Sequence, residues 1–196
     1  MNQSIKKYIP AILGIAATFF SFLSFIFIIV IDGDGWDYVN GILSFIAIGG
    51  LLAIVVTDLL NVKFNKLIYF IPLGVIVLAE LLAGFESLIH IGDTYSTYRY
   101  SYFNKFIGSI ITILIIVLFV YSIYKSKSAA TAVSATYLAA NLFVSGLYAF
   151  NRTFFSLFTD DKFKYGFRNF STCSAMFLFY AIYIYLVYEN NNSTNN

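Results

Sequence analysis

Apolar residues run along this chain in blocks of about twenty, separated by short polar connections. At roughly 1.5 Å per helical residue, about 20 apolar residues cross a 30 Å hydrocarbon core. The blocks predict spans at about 9–31, 39–60, 67–90, 106–124, 129–150 and 170–188. Strands of a membrane barrel would instead alternate over about ten residues. The expected fold is all-α: an integral membrane protein with a compact bundle of about six transmembrane helices. Residues 1–188 form its single domain, and 189–196 a disordered polar tail rich in Asn.

The third block, LIYFIPLGVIVLAELLAGFESLI, departs most from a plain span, because Glu80 sits near its middle. A carboxylate there costs about 2.5–3.5 kcal/mol on insertion scales. About fourteen Leu, Ile, Val and Phe residues in the block, at roughly 0.3–0.6 kcal/mol each, outweigh it. Glu80 is therefore expected to face other helices or a wet cavity. At about 100° per residue, Glu86, His90 and Asp93 share one sector and form a polar rim near one membrane surface. Glu80 lies about 120° from Glu86, on a face of small residues with Ala83, Gly84 and Ser87. Pro72 and Gly74 fall in the first turns of this block, where a kink is cheapest.

Other blocks carry their own marks. Thr18, Ser21 and Ser24 place hydroxyls in the first span, where such groups often bond back to the helix backbone. Gly49 and Gly50 sit near the centre of the second, a place for close backbone approach. The fifth is rich in Ala, with Gly146 as a further small packing residue, and Asn141 near its centre is the expected partner of Glu80. Asp32, Asp34 and Asp37, with their intervening glycines, resemble the opening of a calcium loop. The closing Glu of such a loop is missing, so they form a weak candidate cation site, against the simpler reading of a solvated acidic turn. Tyr95, Tyr98, Tyr100 and Tyr102 in the connection 91–105 suit an interfacial aromatic belt. Asn151–Arg–Thr and Asn169–Phe–Ser match the glycosylation pattern, as an Asn- and Ser-rich chain does by chance.

Composition sharpens the class. The 196 residues are 60% hydrophobic and 11% charged, against about 25% charged in soluble domains. A net charge of +2 without a basic block gives no footprint for nucleic acid. Cys173 is the lone cysteine and His90 the lone histidine. Internal disulfides, dithiol redox chemistry and bis-histidine haem ligation within one chain are thereby excluded, and structural zinc is disfavoured. No cofactor is expected. The amino terminus carries Lys6 and Lys7 while the first connection has no Lys or Arg, which leans towards cytoplasmic termini. Asp32, Asp34, Asp37, Glu86, His90, Asp93, Arg99 and Arg152 then share the outer surface.

Three functions compete. One is binding or transport of a small solute or ion, using Glu80, Asn141 and the outer rim of Glu86, His90 and Asp93. The second is a non-catalytic accessory, immunity or organising protein that acts on a membrane protein partner through helix-packing and aromatic loop surfaces. The third is an intramembrane enzyme built on Glu86 and His90 at i, i+4, for which the chain has no accompanying catalytic motif. The first is favoured, with the lipid bilayer as surroundings and a small solute or cation as partner.

Overall fold

The structure is a computed structural model that describes residues 7–60, 62, 66–92, 96–124, 134, 137–138 and 163–193. Its elements are α1 (Ile9–Val30), α2 (Gly35–Leu59), a 3-10 turn (Lys66–Phe70), α3 (Ile71–Ile91), α4 (Ser96–Tyr124) and α5 (Phe163–Ser193). No strand occurs among the described residues. Five helical segments are long and apolar enough to cross a membrane: Ile9–Val30, Gly35–Leu59, Leu67–Ile91, Tyr102–Tyr124 and Phe163–Val187. They are the helices expected of a multi-pass membrane protein. The expected span at 129–150, with Asn141 and Gly146, lies outside the described residues apart from Ser134, Tyr137 and Leu138, which are helical.

Helix ends differ from those predicted. Asp34 caps α2 by accepting a 2.8 Å hydrogen bond from the Asp37 amide, so the helix starts at Gly35 rather than 39. Asp32 takes a left-handed φ of 53° at the turn before it. Helix α4 begins at Ser96, within the connection expected over 91–105, and α5 begins at Phe163 rather than 170. The backbone of α5 stays helical to Ser193, into the segment expected as a disordered tail. Helices of 29 and 31 residues exceed the roughly 20 that hydrocarbon requires. Their ends run past the apolar blocks into polar sequence, where hydropathy no longer marks a helix.

The bundle is ordered in space as α5, α1, α2, α3, α4, each packed on the next. Phe119 of α4 meets Tyr183 of α5 edge-to-face at 6.1 Å, which joins the two outer members. Tyr183 also donates a 2.6 Å hydrogen bond to the Tyr69 carbonyl, in the turn that leads into α3. The core gathers Leu51, Ile76, Ile116, Phe119, Phe179 and Ile182.

Burial is inverted relative to a soluble bundle. The buried face of α1 is Pro10, Ala11, Gly14, Ala17, Ser21, Ser24 and Ile28, with steps of four and three from Pro10 onwards. Its exposed face is Ile12, Ile15, Phe19, Phe22, Ile26 and Ile29. Small residues inside and large apolar ones outside suit lipid as the solvent, because helix association there rests on close packing. A Cβ on Gly14 would lie 2.9 Å from Leu52 Cδ1 and 3.6 Å from its Cα, so α1 and α2 touch there through glycine. The centre of α2 is different. A Cβ on Gly49 or Gly50 would meet nothing within 4 Å. The expected close approach at that pair is therefore absent among the described residues, and Gly14 and Gly41 supply it instead.

Candidate functional site

Among the described residues, two polar regions near the described core concern the predicted site residues most. The first lies between α1, α2 and α5, at the end of the bundle where α2 and α5 begin. On α2, Asp37, Asn40, Gly41, Ser44 and Ile48 fall at helical spacing and form one inward-running stripe. On α5, Arg168, Thr172 and Met176 do the same. Together with Ser21 and Ser24 of α1 they enclose a cavity of about 160 Å³. A water takes roughly 30 Å³ of liquid, so the space suits a solute of several heavy atoms. Beside the cavity α1 packs tightly on α2, since a Cβ on Gly41 would lie 2.7 Å from Ile28 Cδ1.

Charge sits at the cavity's outer end. Arg168 donates to Asp37 at 2.9 Å, with side-chain exposures of 24% and 38%. Deeper in, the Ser24 and Thr172 hydroxyls are 2.6 Å apart and tie α1 to α5. Asn40 Oδ1 is buried without a hydrogen-bond partner. An acceptor left so costs about 1–3 kcal/mol relative to a satisfied one.

The second region is the seam between α3 and α4. Glu80 is hydrogen-bonded with Ser109 of α4, within electrostatic reach of Lys105. Tyr180 of α5 also lies in electrostatic range of Glu80, yet its hydroxyl is buried with no hydrogen-bond partner. One turn past Gly84, Ser87 bonds back to the Ala83 carbonyl at 2.8 Å. At Gly84 a Cβ would meet Ser109 Cβ at 3.5 Å, an ordinary van der Waals contact across the seam. Glu86 is 6% exposed and accepts a 3.0 Å ion-pair hydrogen bond from Lys105. His90 stacks on Tyr102, ring centroids 5.0 Å apart.

Two of the residues anticipated as an outer rim, Glu86 and His90, lie one turn apart on this seam. Glu86 and His90 both turn to α4, Glu86 as a buried ion-pair member and His90 as a stacking partner. Asp93 and Asn141 lie outside the described residues, and with them the anticipated Glu80–Asn141 contact. The three aspartates of the candidate cation site divide their work: Asp34 caps α2, Asp37 pairs with Arg168, and Asp32 makes the turn. Among the described residues no group of three or more His, Cys, Asp or Glu is placed to hold a metal ion.

The cavity between α1, α2 and α5 was only half legible. The hydroxyls of Ser21 and Ser24 stood out in the first apolar block. Asn40, Ser44 and Thr172 did not, because their common wall exists only when α5 lies against α1 and α2. The available signal was spacing: Asp37, Asn40 and Ser44 recur at i, i+3, i+7, and Arg168 with Thr172 at i, i+4. No protein-family model matches the chain, and no curated protein or solved structure matches it either, so its function is read from its own residues.

Proposed function

We propose that this chain is a membrane-embedded binding or transport subunit for a small polar solute or ion. The cavity between α1, α2 and α5 carries this reading. Hydroxyl, amide, carboxylate and guanidinium groups converge there on about 160 Å³ of space inside an otherwise apolar bundle. Ligand sites are concave, with a few convergent polar groups that fix orientation. Polar groups within a membrane-spanning segment are costly to insert, which makes them functional candidates. Glu80, with Ser109 and Tyr180, supplies a second polar level on the opposite side of the core. With cytoplasmic termini, the cavity opens to the outer side, where a solute arrives.

Six crossings accommodate this arrangement. Arg168, early in α5, pairs with Asp37, early in α2, whereas Tyr124 ends α4 at the opposite end of the bundle.

Native mass spectrometry of the full chain, extracted gently from its own membrane, tests the proposal. The wild-type chain is expected to carry a small-molecule or ion adduct, and Ser44→Leu, which fills the cavity, to lose it while keeping its helical circular dichroism. A bare wild-type mass, or the same adduct on Ser44→Leu, would overturn the cavity as the site. A stoichiometric protein adduct in its place would favour the accessory reading.

A further inference from the structure

We infer that the solute taken by the α1–α2–α5 cavity is a small zwitterion, with an ammonium and a carboxylate group as in an amino acid. The inference rests on the cavity being the binding site. Its starting point is the Asp37–Arg168 ion pair at 2.9 Å. These are the charged residues lining the cavity among those described, and they come from facing helices.

Any charged solute must contend with that pair. An anion that takes Arg168 displaces Asp37 and leaves two negative groups side by side. A cation that takes Asp37 strands Arg168 in the same way. Breaking a partly buried pair without replacing both partners is unfavourable, because it leaves an uncompensated charge. A neutral solute has nothing with which to compete for either group. A zwitterion exchanges one ion pair for two: its carboxylate meets Arg168 and its ammonium meets Asp37, each by charge-assisted hydrogen bonds.

The neighbouring groups fit that polarity. An ammonium brings three donors, and Asp37 alone does not saturate them. Asn40 stands one turn inward on the same stripe of α2, with a buried Oδ1 that has no partner. That oxygen is shut off from the cavity space, so the side chain must turn before it can accept from an ammonium there. On the α5 side, Thr172 donates its hydroxyl to the Arg168 carbonyl at 3.0 Å and pairs with Ser24, so the guanidinium of Arg168 is the donor that faces a carboxylate. The carboxylate of Asp37 on the α2 wall and the guanidinium of Arg168 on the α5 wall set the direction in which the solute lies. In the solute's absence the two charges close on each other, so the pair also latches α2 to α5.

Isothermal calorimetry on the full chain in lipid nanodiscs tests this with four probe classes. They are amino acids of increasing charge separation (alanine, β-alanine, 4-aminobutyrate), propylamine, propionate and glycerol. At least one amino acid is expected to bind about tenfold or more tighter than propylamine, propionate or glycerol, as the loss of one charged contact implies. Asp37→Asn is expected to weaken the amino acid by a similar factor and to improve propionate, while Arg168→Gln improves propylamine. This exchange of preference is something a purely structural ion pair would not produce. Tight binding of glycerol or a singly charged probe to the wild type, abolished by Ser44→Leu, would overturn the zwitterion and leave the cavity reading intact. Failure of every amino acid to bind also overturns the zwitterion, whereas a bare wild-type mass, or the same adduct on Ser44→Leu, in the native spectrum removes the cavity reading with it.

Discussion

Single side chains in this protein are decided by whether each polar atom meets a partner within the bundle. Glu80 has Ser109, and Gln retains a hydrogen-bonding head of the same reach. Glu80→Gln should therefore unfold within about 1 kcal/mol of wild type, whereas Glu80→Ala should lose the roughly 0.6–1.7 kcal/mol that interhelical hydrogen bonds contribute in membranes. Thermal unfolding in one detergent, followed by circular dichroism, separates the two. Glu86 is a harder case, since it is a buried carboxylate whose one cation is half exposed. Removing Lys105 alone should cost about 1–3 kcal/mol, less than the 3–5 kcal/mol typical of fully buried pairs because water still reaches the ammonium. The double change Glu86→Leu with Lys105→Leu should recover most of that loss, and a loss as large as in the single variant would show that the pair does more than neutralise itself. Tyr180 is the reverse of both. Its hydroxyl has no partner, so Tyr180→Phe should leave stability unchanged or raised.

Helices pair here through what is small, and the glycines separate two situations that look alike in sequence. At Gly14 the neighbouring α2 backbone is 3.6 Å from where a Cβ would stand. Gly14→Val should force α1 from α2 and cost about 1–3 kcal/mol, as overpacking does. Among the described residues nothing approaches Gly49 or Gly50, and Ala at either should be neutral or stabilising by up to about 1 kcal/mol, since Gly is the poorer helix former. Apolar blocks reveal where a helix crosses hydrocarbon, and five described helices match blocks in the sequence. They do not reveal which glycine another backbone approaches, because a central pair such as Gly49–Gly50 draws notice while the single Gly14 is used. Nor do they mark helix ends. The stretch from Phe163 to Asn169 reads as loop because Lys164 and Arg168 interrupt the apolar run, yet it is helical, and Arg168 has Asp37 to neutralise it.

For the whole molecule, the packing order α5, α1, α2, α3, α4 fixes which groups share an end. Lys7, Asp58 and Tyr69 border one cavity at the first end, and Asp37 and Arg168 stand at the other. A cysteine placed at Val62 should react with a membrane-impermeant maleimide from the same side as one at Lys7, and a cysteine at Gly35 from the opposite side, all in a Cys173→Ser background. Equal labelling of all three from one side would refute the antiparallel order. The fold class was legible because hydrocarbon imposes a length that sequence records directly. The site was less so, because Asp37 and Arg168 are 131 residues apart and no local pattern announces such a meeting. The bond between Ser24 and Thr172 spans 148 residues, and that separation has a consequence for biogenesis. Ribosomes add roughly 5–20 residues per second, so the serine face of the first helix waits about 7–30 s for its counterpart to be made. Until then the Ser24 hydroxyl lacks its Thr172 partner, and a nascent chain halted before Phe163 keeps that face unmatched.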